Sequence, residues 1–399
     1  MDLAYGPEYE RFRAEVRSFI AEHWPEDRAA DPTDDDVRTF RRRAVEAGLL
    51  YRSVPTRYGG SGQEPDALKA QVIREELARC RAPGELVGLG PEMLVPTLLE
   101  WGTDWQKERF VRPTLEGTLE WCQGYSEPGA GSDLASLRTS AVLDGDEWVI
   151  NGQKVWTTGG HVANMMFALV RTEPDAPKRR SLSYLLLEMD QPGIEVRPLK
   201  QITGTAEFNE VFFTDARTPA DWIVGGRGEG WAVANTTLKH ERVMIGNVSR
   251  SDALFSRLVA LAHSVDLDGS AAITDPGVQA RLVEIEGWLE AQRYSGYVQT
   301  TRALRNEPIG PLGLMNKLAN TNIGHRVAAL ALDLIGDDAL LPPTGGRPGE
   351  RPGPERWMMQ YFGSLGLAIA GGTSNIQRNI IAERALGLPR DPYMSDAAR

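Results

Sequence analysis

Two short segments carry residue types that could hold and orient a reactive ligand. Residues 121–133 read W-C-Q-G-Y-S-E-P-G-A-G-S-D. Pro128 fixes one backbone angle, while Gly129 and Gly131 permit positive φ. Such a turn can aim several backbone N–H groups at one anion, and Ser126 and Ser132 add hydroxyl donors. It is not the dinucleotide-binding fingerprint, because no strand pattern leads in and no helix follows at the required spacing. A tight surface turn joining helix to sheet would read the same way. Residues 151–160 read N-G-Q-K-V-W-T-T-G-G. Trp156 offers a flat apolar face with the Thr157 and Thr158 hydroxyls beside it. Such a strand could line an isoalloxazine ring, Trp156 packing on it and Thr158 bonding a ring nitrogen. Taken alone, a tryptophan that fills a sheet core is the plainer reading.

The elements that must position these segments follow from periodicity. Apolar residues Tyr9, Phe12, Val16, Phe19 and Ile20 recur at helical spacing over residues 5–24. Further helices are expected at 34–48, 66–79, 91–100 and 105–116, with a glycine-rich loop at 54–62. After Cys122 the period changes. Residues 147–151, 165–170, 182–188 and 208–213 are β-prone runs separated by Asp-Gly, Asn-Gly and Pro-Gly pairs, which predicts a small antiparallel sheet. Helices return at 231–265, 276–305, 312–334, 355–370 and 374–386, interrupted at 266–275 and by the Pro/Gly-rich stretch 342–354. The expected fold class is α+β: a helical domain over 1–120, a middle β-domain over 121–227 and a helical bundle over 228–399.

Composition bounds the partners. The 399 residues are 41% hydrophobic and 25% charged, an ordinary globular balance. A net charge of −11 argues against nucleic acid, which a basic patch would mark. Cys80 and Cys122 form no disulfide framework, and the five histidines, scattered from His23 to His325, form no metal-ligand pair. No run approaches the roughly 18 apolar residues of a membrane span, and the N-terminus lacks a secretory core. A cytoplasmic protein is expected.

With both segments in one chain, the sequence resembles the acyl-CoA dehydrogenase family. Residues 123–133 look like that family's flavin and CoA motif, and residues 152–160 like its flavin-stacking strand. Residues 370–378, A-G-G-T-S-N-I-Q-R, continue with 381–389 into its C-terminal signature. The likeness runs in order from about residue 5 to residue 392. It implies FAD between a β-domain and a four-helix bundle. By position, Gln123, Tyr125 and Ser126 would lie along the flavin ring, with Gly131 in the same turn. Ser132 would sit near the pyrophosphate and the CoA arm. Trp156 and Thr158 would contact the ring's other side, and Gly372, Thr373 and Asn375 would approach the adenosine half.

The implied reaction removes an α-proton and a β-hydride from an acyl-CoA thioester, so it needs one carboxylate base. The larger branch of the family carries that base where this chain has Gly371, and glycine accepts no proton. A smaller branch places it on the long helix, in the register of Lys239-His240-Glu241-Arg242. Glu241 aligns with that alternative base, and Arg242 with an arginine near CoA. An exposed, salt-bridged glutamate is the competing reading of Glu241, and a plain surface charge that of Arg242. Glycine at 371 hints at room for the acyl chain. Glu127 reads as organising its turn, and Asp133 as a cap or turn acceptor.

Two family features are missing. The R-x-x-F-G segment that reaches a neighbouring subunit's flavin is absent from residues 270–277, and a later glutamine–glycine segment appears as Asp333-Leu334-Ile335-Gly336-Asp337. The resemblance implies a homodimer or homotetramer, with a heterotetramer as the alternative, and an electron-transfer flavoprotein as electron acceptor. A non-catalytic partner subunit and an oxidase or flavin monooxygenase on the same scaffold are the other readings.

Overall fold

The computed structural model describes residues 5–25, 29–246, 248–305, 307–308, 310–340 and 354–389. Helices α1 (Pro7–His23), α2 (Asp34–Glu46), α3 (Ala67–Arg79), α4 (Val95–Trp101) and α5 (Asp104–Glu116) form the first part. Their starts are locally encoded. Thr33 and Thr103 each close a capping box, with Asp36 and Gln106 respectively, and Asp66 caps α3. Gln106 does a second job, donating from Nε2 to the carbonyls of Asp221 (2.8 Å) and Ile223 (2.7 Å), which locks α5 to the sheet.

Eight strands make one sheet: β1 (Trp121–Gly124), β2 (Ser140–Asp144), β3 (Glu147–Thr158), β4 (Met165–Arg171), β5 (Leu182–Glu188), β6 (Ile194–Leu199), β7 (Phe208–Pro219) and β8 (Ile223–Val224). The order is β6-β7-β3-β2-β4-β5-β8, with β1 beside β4. Most pairs are antiparallel, but β1 runs parallel to β4, Trp121 opposite Met165. A strand therefore does lead into the glycine turn, contrary to the sequence expectation. Four residues carry too little alternation to announce a strand, and the partner lies about forty residues later.

One sheet face packs with the N-terminal helices. Trp121, Tyr125, Phe167 and Tyr184 share a core with Phe40, Phe110 and Val233. The other face buries Cys122, Trp148, Met166, Leu185 and Phe213.

The expected helix over 231–265 is two helices, α6 (Gly230–Ile245) and α7 (Val248–Ser264). The break falls where α9 (Leu312–Ile335) presses close. A Cβ on Gly246 would stand 3.0 Å from Asn316 Cβ and 2.9 Å from the Arg242 carbonyl. Side chains take up the freed carbonyls: Asn320 donates to Ile245 (2.5 Å) and Gln292 to Gly246 (3.3 Å). A short hairpin of β9 (Asp266–Leu267) and β10 (Ser270–Ala271) fills the interruption before α8 (Pro276–Leu304). Helices α10 (Pro354–Ile369) and α11 (Ser374–Ile380) complete the chain, around a core of Leu258, Ile285, Leu289, Val327, Leu330 and Trp357. The Pro/Gly-rich stretch lies outside the described residues up to its last residue, Pro354. Among the described residues no helix is long and apolar enough to cross a membrane.

Candidate active site

The glycine turn and the tryptophan strand meet through a buried ion pair. Lys154, 0% exposed, donates from Nζ to Glu127 Oε1 (2.9 Å), the Tyr125 carbonyl (3.1 Å) and the Leu169 carbonyl (2.8 Å). Glu127 also accepts from the backbone N–H groups of Arg138 (2.6 Å) and Thr139 (2.8 Å). Burial pushes the Lys154 ammonium down to about 8 even beside Glu127. Burial alone would raise Glu127, but Lys154 and the Thr139 and Arg138 donors hold it below the usual carboxylate range. Val155 N–H adds a bond to the Ser126 carbonyl at 2.9 Å. Glu127 thus organises the turn as expected; Lys154, its counterpart, was overlooked. The local pattern gave little signal for it, since it is flanked by half-buried Gln153 and buried Val155.

That anchorage sets up Trp156. Between Lys154↔Val211 and Thr157↔Asn209, three steps along β3 match two along β7, so β3 bulges. Trp156 sits in the bulge with φ 62° and is 60% exposed, its ring edge-on to Phe208 with centroids 6.1 Å apart. A bulky residue at positive φ stores strain of about 1–3 kcal/mol, and such strain concentrates at functional sites. The reading of Trp156 as a core residue is thereby excluded. Thr158 is exposed two residues on, while Val155 and Thr157 point inward.

Gly129 and Gly131 adopt no positive φ, a correction to their expected role. An added Cβ at either would meet nothing within 4 Å, so both leave open approach to the backbone. Ser132 is exposed beside them, and Ser126 and Gln123 are half-buried. Asp133 accepts from Ser136 and pairs with Lys178 at 2.7 Å, a turn acceptor as read. Tyr125 is placed differently from its neighbours. Its ring is 4% exposed and packs edge-on to Phe167 (5.9 Å) and Tyr184 (6.2 Å). Its hydroxyl lies near Tyr184, Thr237 and Glu241 without reaching hydrogen-bonding geometry.

Helix α6 carries the candidate base. Thr237 reaches Tyr184 Oη at 3.3 Å and Thr97 at 3.0 Å, pinning one face of the helix over β5 and α4. Glu241 follows four residues later on that face. It is half-buried, and burial pushes its carboxyl up to about 7 against the pull of Arg242 and Lys317. Gly371 stands directly opposite. A Cβ there would lie 3.6 Å from Glu241 Cδ, 3.7 Å from Oε2 and 3.0 Å from Ile245 Cδ1. The two alternative base positions therefore face one another, with Ile245 beside them. Arg242 is half-buried, its Nε bonded to the Leu238 carbonyl (2.9 Å) and its guanidinium near Arg384, so it is no plain surface charge.

The turn before α11 is held from below. Gly371 and Gly372 have φ of 62° and 96°. Gln377 Nε2 donates to the Gly371 carbonyl and Lys317 Nζ to the Gly372 carbonyl, both at 2.8 Å. Thr373 caps the following helix, and Asn375 accepts from Arg378 at 3.1 Å. Lys317 also escaped the sequence reading. It shares the inward stripe of α9 with Thr321, Ala328 and Ala331, a spacing that could have marked it as a buried lysine.

A helical part, a sheet with a strained exposed tryptophan and a bundle with a half-buried carboxylate give the three-part architecture of an acyl-CoA dehydrogenase. Family models agree along the chain: acyl-CoA dehydrogenase N-terminal domain over residues 6–118, middle domain over 122–216 and C-terminal domain over 228–386. The chain belongs to the acyl-CoA dehydrogenase family, whose members are FAD-dependent flavoproteins. It is 41% identical over 394 residues to acyl-CoA dehydrogenase IpdE1 of Mycobacterium tuberculosis, covering 96% of this chain and 98% of the relative. The IpdE1 of Mycolicibacterium smegmatis is 39% identical, with 96% and 99% covered. Among solved structures, the ChsE4-ChsE5 complex from Mycobacterium tuberculosis matches at 30% identity and TM-score 0.75, covering 98% of this chain and 100% of that one. The Tcur3481-Tcur3483 steroid ACAD matches at 27% identity and TM-score 0.75, with the same coverage.

Proposed function

We propose that the chain converts an acyl-CoA to its trans-2-enoyl thioester with Glu241 as the base. The carrying observation is the half-buried carboxylate opposite Gly371, a position that itself offers no side chain to act as a base. A base must be charged near neutrality yet basic enough to take a weakly acidic α-proton. A carboxyl raised to about 7 meets both demands. Glu241 would take the α-proton on a carboxylate oxygen, and Arg242 would sit beside the CoA arm. FAD, when bound, supplies the acceptor for the β-hydride.

The residues present fit that cofactor. The exposed Trp156 and Thr158 edge, with Gln123, Tyr125 and Ser126, would hold the ring. With Tyr125's side chain in the core, its share falls to the backbone. The open Gly129–Gly131 turn and Ser132 suit a pyrophosphate, and Gly372, Thr373 and Asn375 would hold the adenosine half. We further propose an electron-transfer flavoprotein as electron acceptor and, from the free Cys80 and Cys122, a reducing cytoplasm. The missing cross-subunit segments, with two heteromeric neighbours, favour a heteromer over a homo-oligomer. The steroid ACAD neighbour favours a steroid-derived acyl group.

The test is anaerobic mixing of the FAD-loaded protein, and its Glu241→Gln variant, with short, branched and steroid-side-chain CoA esters. The parent should bleach the flavin with one of them. The variant should bind that ester without bleaching, and bleaching by the variant would remove Glu241 from the mechanism.

A further inference from the structure

Lys317 is 1% exposed, and burial lowers its ammonium from the ordinary lysine value. Its hydrogen bonds go to two carbonyls, Gly372 (2.8 Å) and Ala368 (3.1 Å), at the end of α10 and in the glycine turn. A neutral amide could make those bonds, so they do not explain a buried charge, which is costly without a charged counterpart. Among the described residues Glu241 is the carboxylate whose charge acts on it. The two form no direct ion pair but meet across the glycine turn, where Lys317 holds the Gly372 carbonyl and Gly371 flanks Glu241. Lys317 in turn favours the charged form of Glu241. The remaining groups around Glu241 are Arg242 on its own helix, with Arg384 against it, and the Tyr125 hydroxyl from the sheet. His240, also on α6, faces Glu100 of α4 instead.

We propose that Lys317 is a positioning residue for the base. Its ammonium pins the Gly371–Gly372 turn against the Glu241 carboxylate and supplies the positive charge that this carboxylate faces from the bundle. Gln377 holds the Gly371 carbonyl and Lys317 the Gly372 carbonyl, keeping glycines at φ 62° and 96° on the carboxylate's flank, and of the two only Lys317 brings a charge. The inference rests on Glu241 being the base.

The experiment uses the full chain with FAD and the variants Lys317→Gln, Lys317→Met and Lys317→Arg, each with and without Glu241→Gln. Two midpoints are read: the pH at which the Glu241-dependent part of unfolding stability changes, and the pH midpoint of anaerobic flavin reduction by substrate. Lys317→Gln and Lys317→Met should raise both by about one unit, a tenfold change in proton affinity typical of losing a near opposite charge. Lys317→Arg should leave both nearly in place. Unchanged midpoints in folded neutral variants overturn the proposal, as does a shift in Lys317→Arg equal to that in Lys317→Gln. Neutral variants that fold only when Glu241 is also neutralised support it; neutral variants that never fold overturn it, since the lysine then serves the fold alone. If Glu241→Gln still bleaches the flavin, the base reading falls by itself, and the stability midpoint continues to report on Lys317.

Discussion

Replacing Glu241 by glutamine should stabilise the fold at alkaline pH and leave it unchanged in acid. The carboxyl rises from an ordinary 4.5 to about 7 because burial penalises its charged form. A raised carboxyl contributes its full stability below about pH 4.5 and loses it as pH climbs through about 7. One unit corresponds to about 1.4 kcal/mol, so the parent carries a penalty of about 3 kcal/mol above that range which the neutral amide escapes. Denaturant unfolding of parent and variant at a series of pH values, at one fixed FAD concentration, measures the difference directly. It should grow from near zero at pH 4.5 to a plateau above pH 8. A difference that is flat with pH would refute the reasoning, because Glu241 would then titrate as a solvated side chain. The enzyme would be giving up stability to hold a basic carboxylate, which is a reason to expect chemistry at that position.

Other outcomes follow from the same geometry. The substrate-limited rate of flavin reduction should rise with pH through about 7 in stopped-flow traces, since only the charged Glu241 accepts a proton. Lys154→Met leaves Glu127 buried without its cation and should cost about 3–5 kcal/mol in unfolding experiments, with loss of FAD retention. Gly371→Ala combines φ 62° with a 3.0 Å approach to Ile245 and should cost about 1–2 kcal/mol. Trp156→Gly relieves backbone strain at the bulge, so calorimetry should show an apo-protein at least as stable and FAD binding that is weaker.

Much of this molecule is legible in its sequence. Helical periodicity located the N-terminal helices and the bundle because their apolar stripes repeat within a few residues. Gln123–Ser132 and Trp156–Thr158 stand out as local runs of unusual residues, and residues 370–378 through their likeness to the family's C-terminal signature. Glycine at 371 and glutamate at 241 together pointed to a relocated base. The features that were missed are long-range. Strand β1 exists because Trp121–Gly124 pairs with β4, about forty residues away. The break at Gly246 exists because Asn316 presses against it.

Trp156 illustrates the division. Residue type alone allowed either a core filler or a flat ligand surface; an extra residue in β3 opposite β7 turned the ring out of the core. Lys154 and Lys317 read as ordinary lysines until folding buried them, one against Glu127 and the other beneath the glycine turn. The amino-acid order by itself determined which residues can carry a proton or cradle a cofactor, since that is a property of side-chain chemistry. Only the tertiary structure decided that Glu241 stands opposite Gly371 and holds a raised carboxyl, because the desolvation that outweighs the nearby positive charges arises when α6, α9 and the glycine turn close on one another.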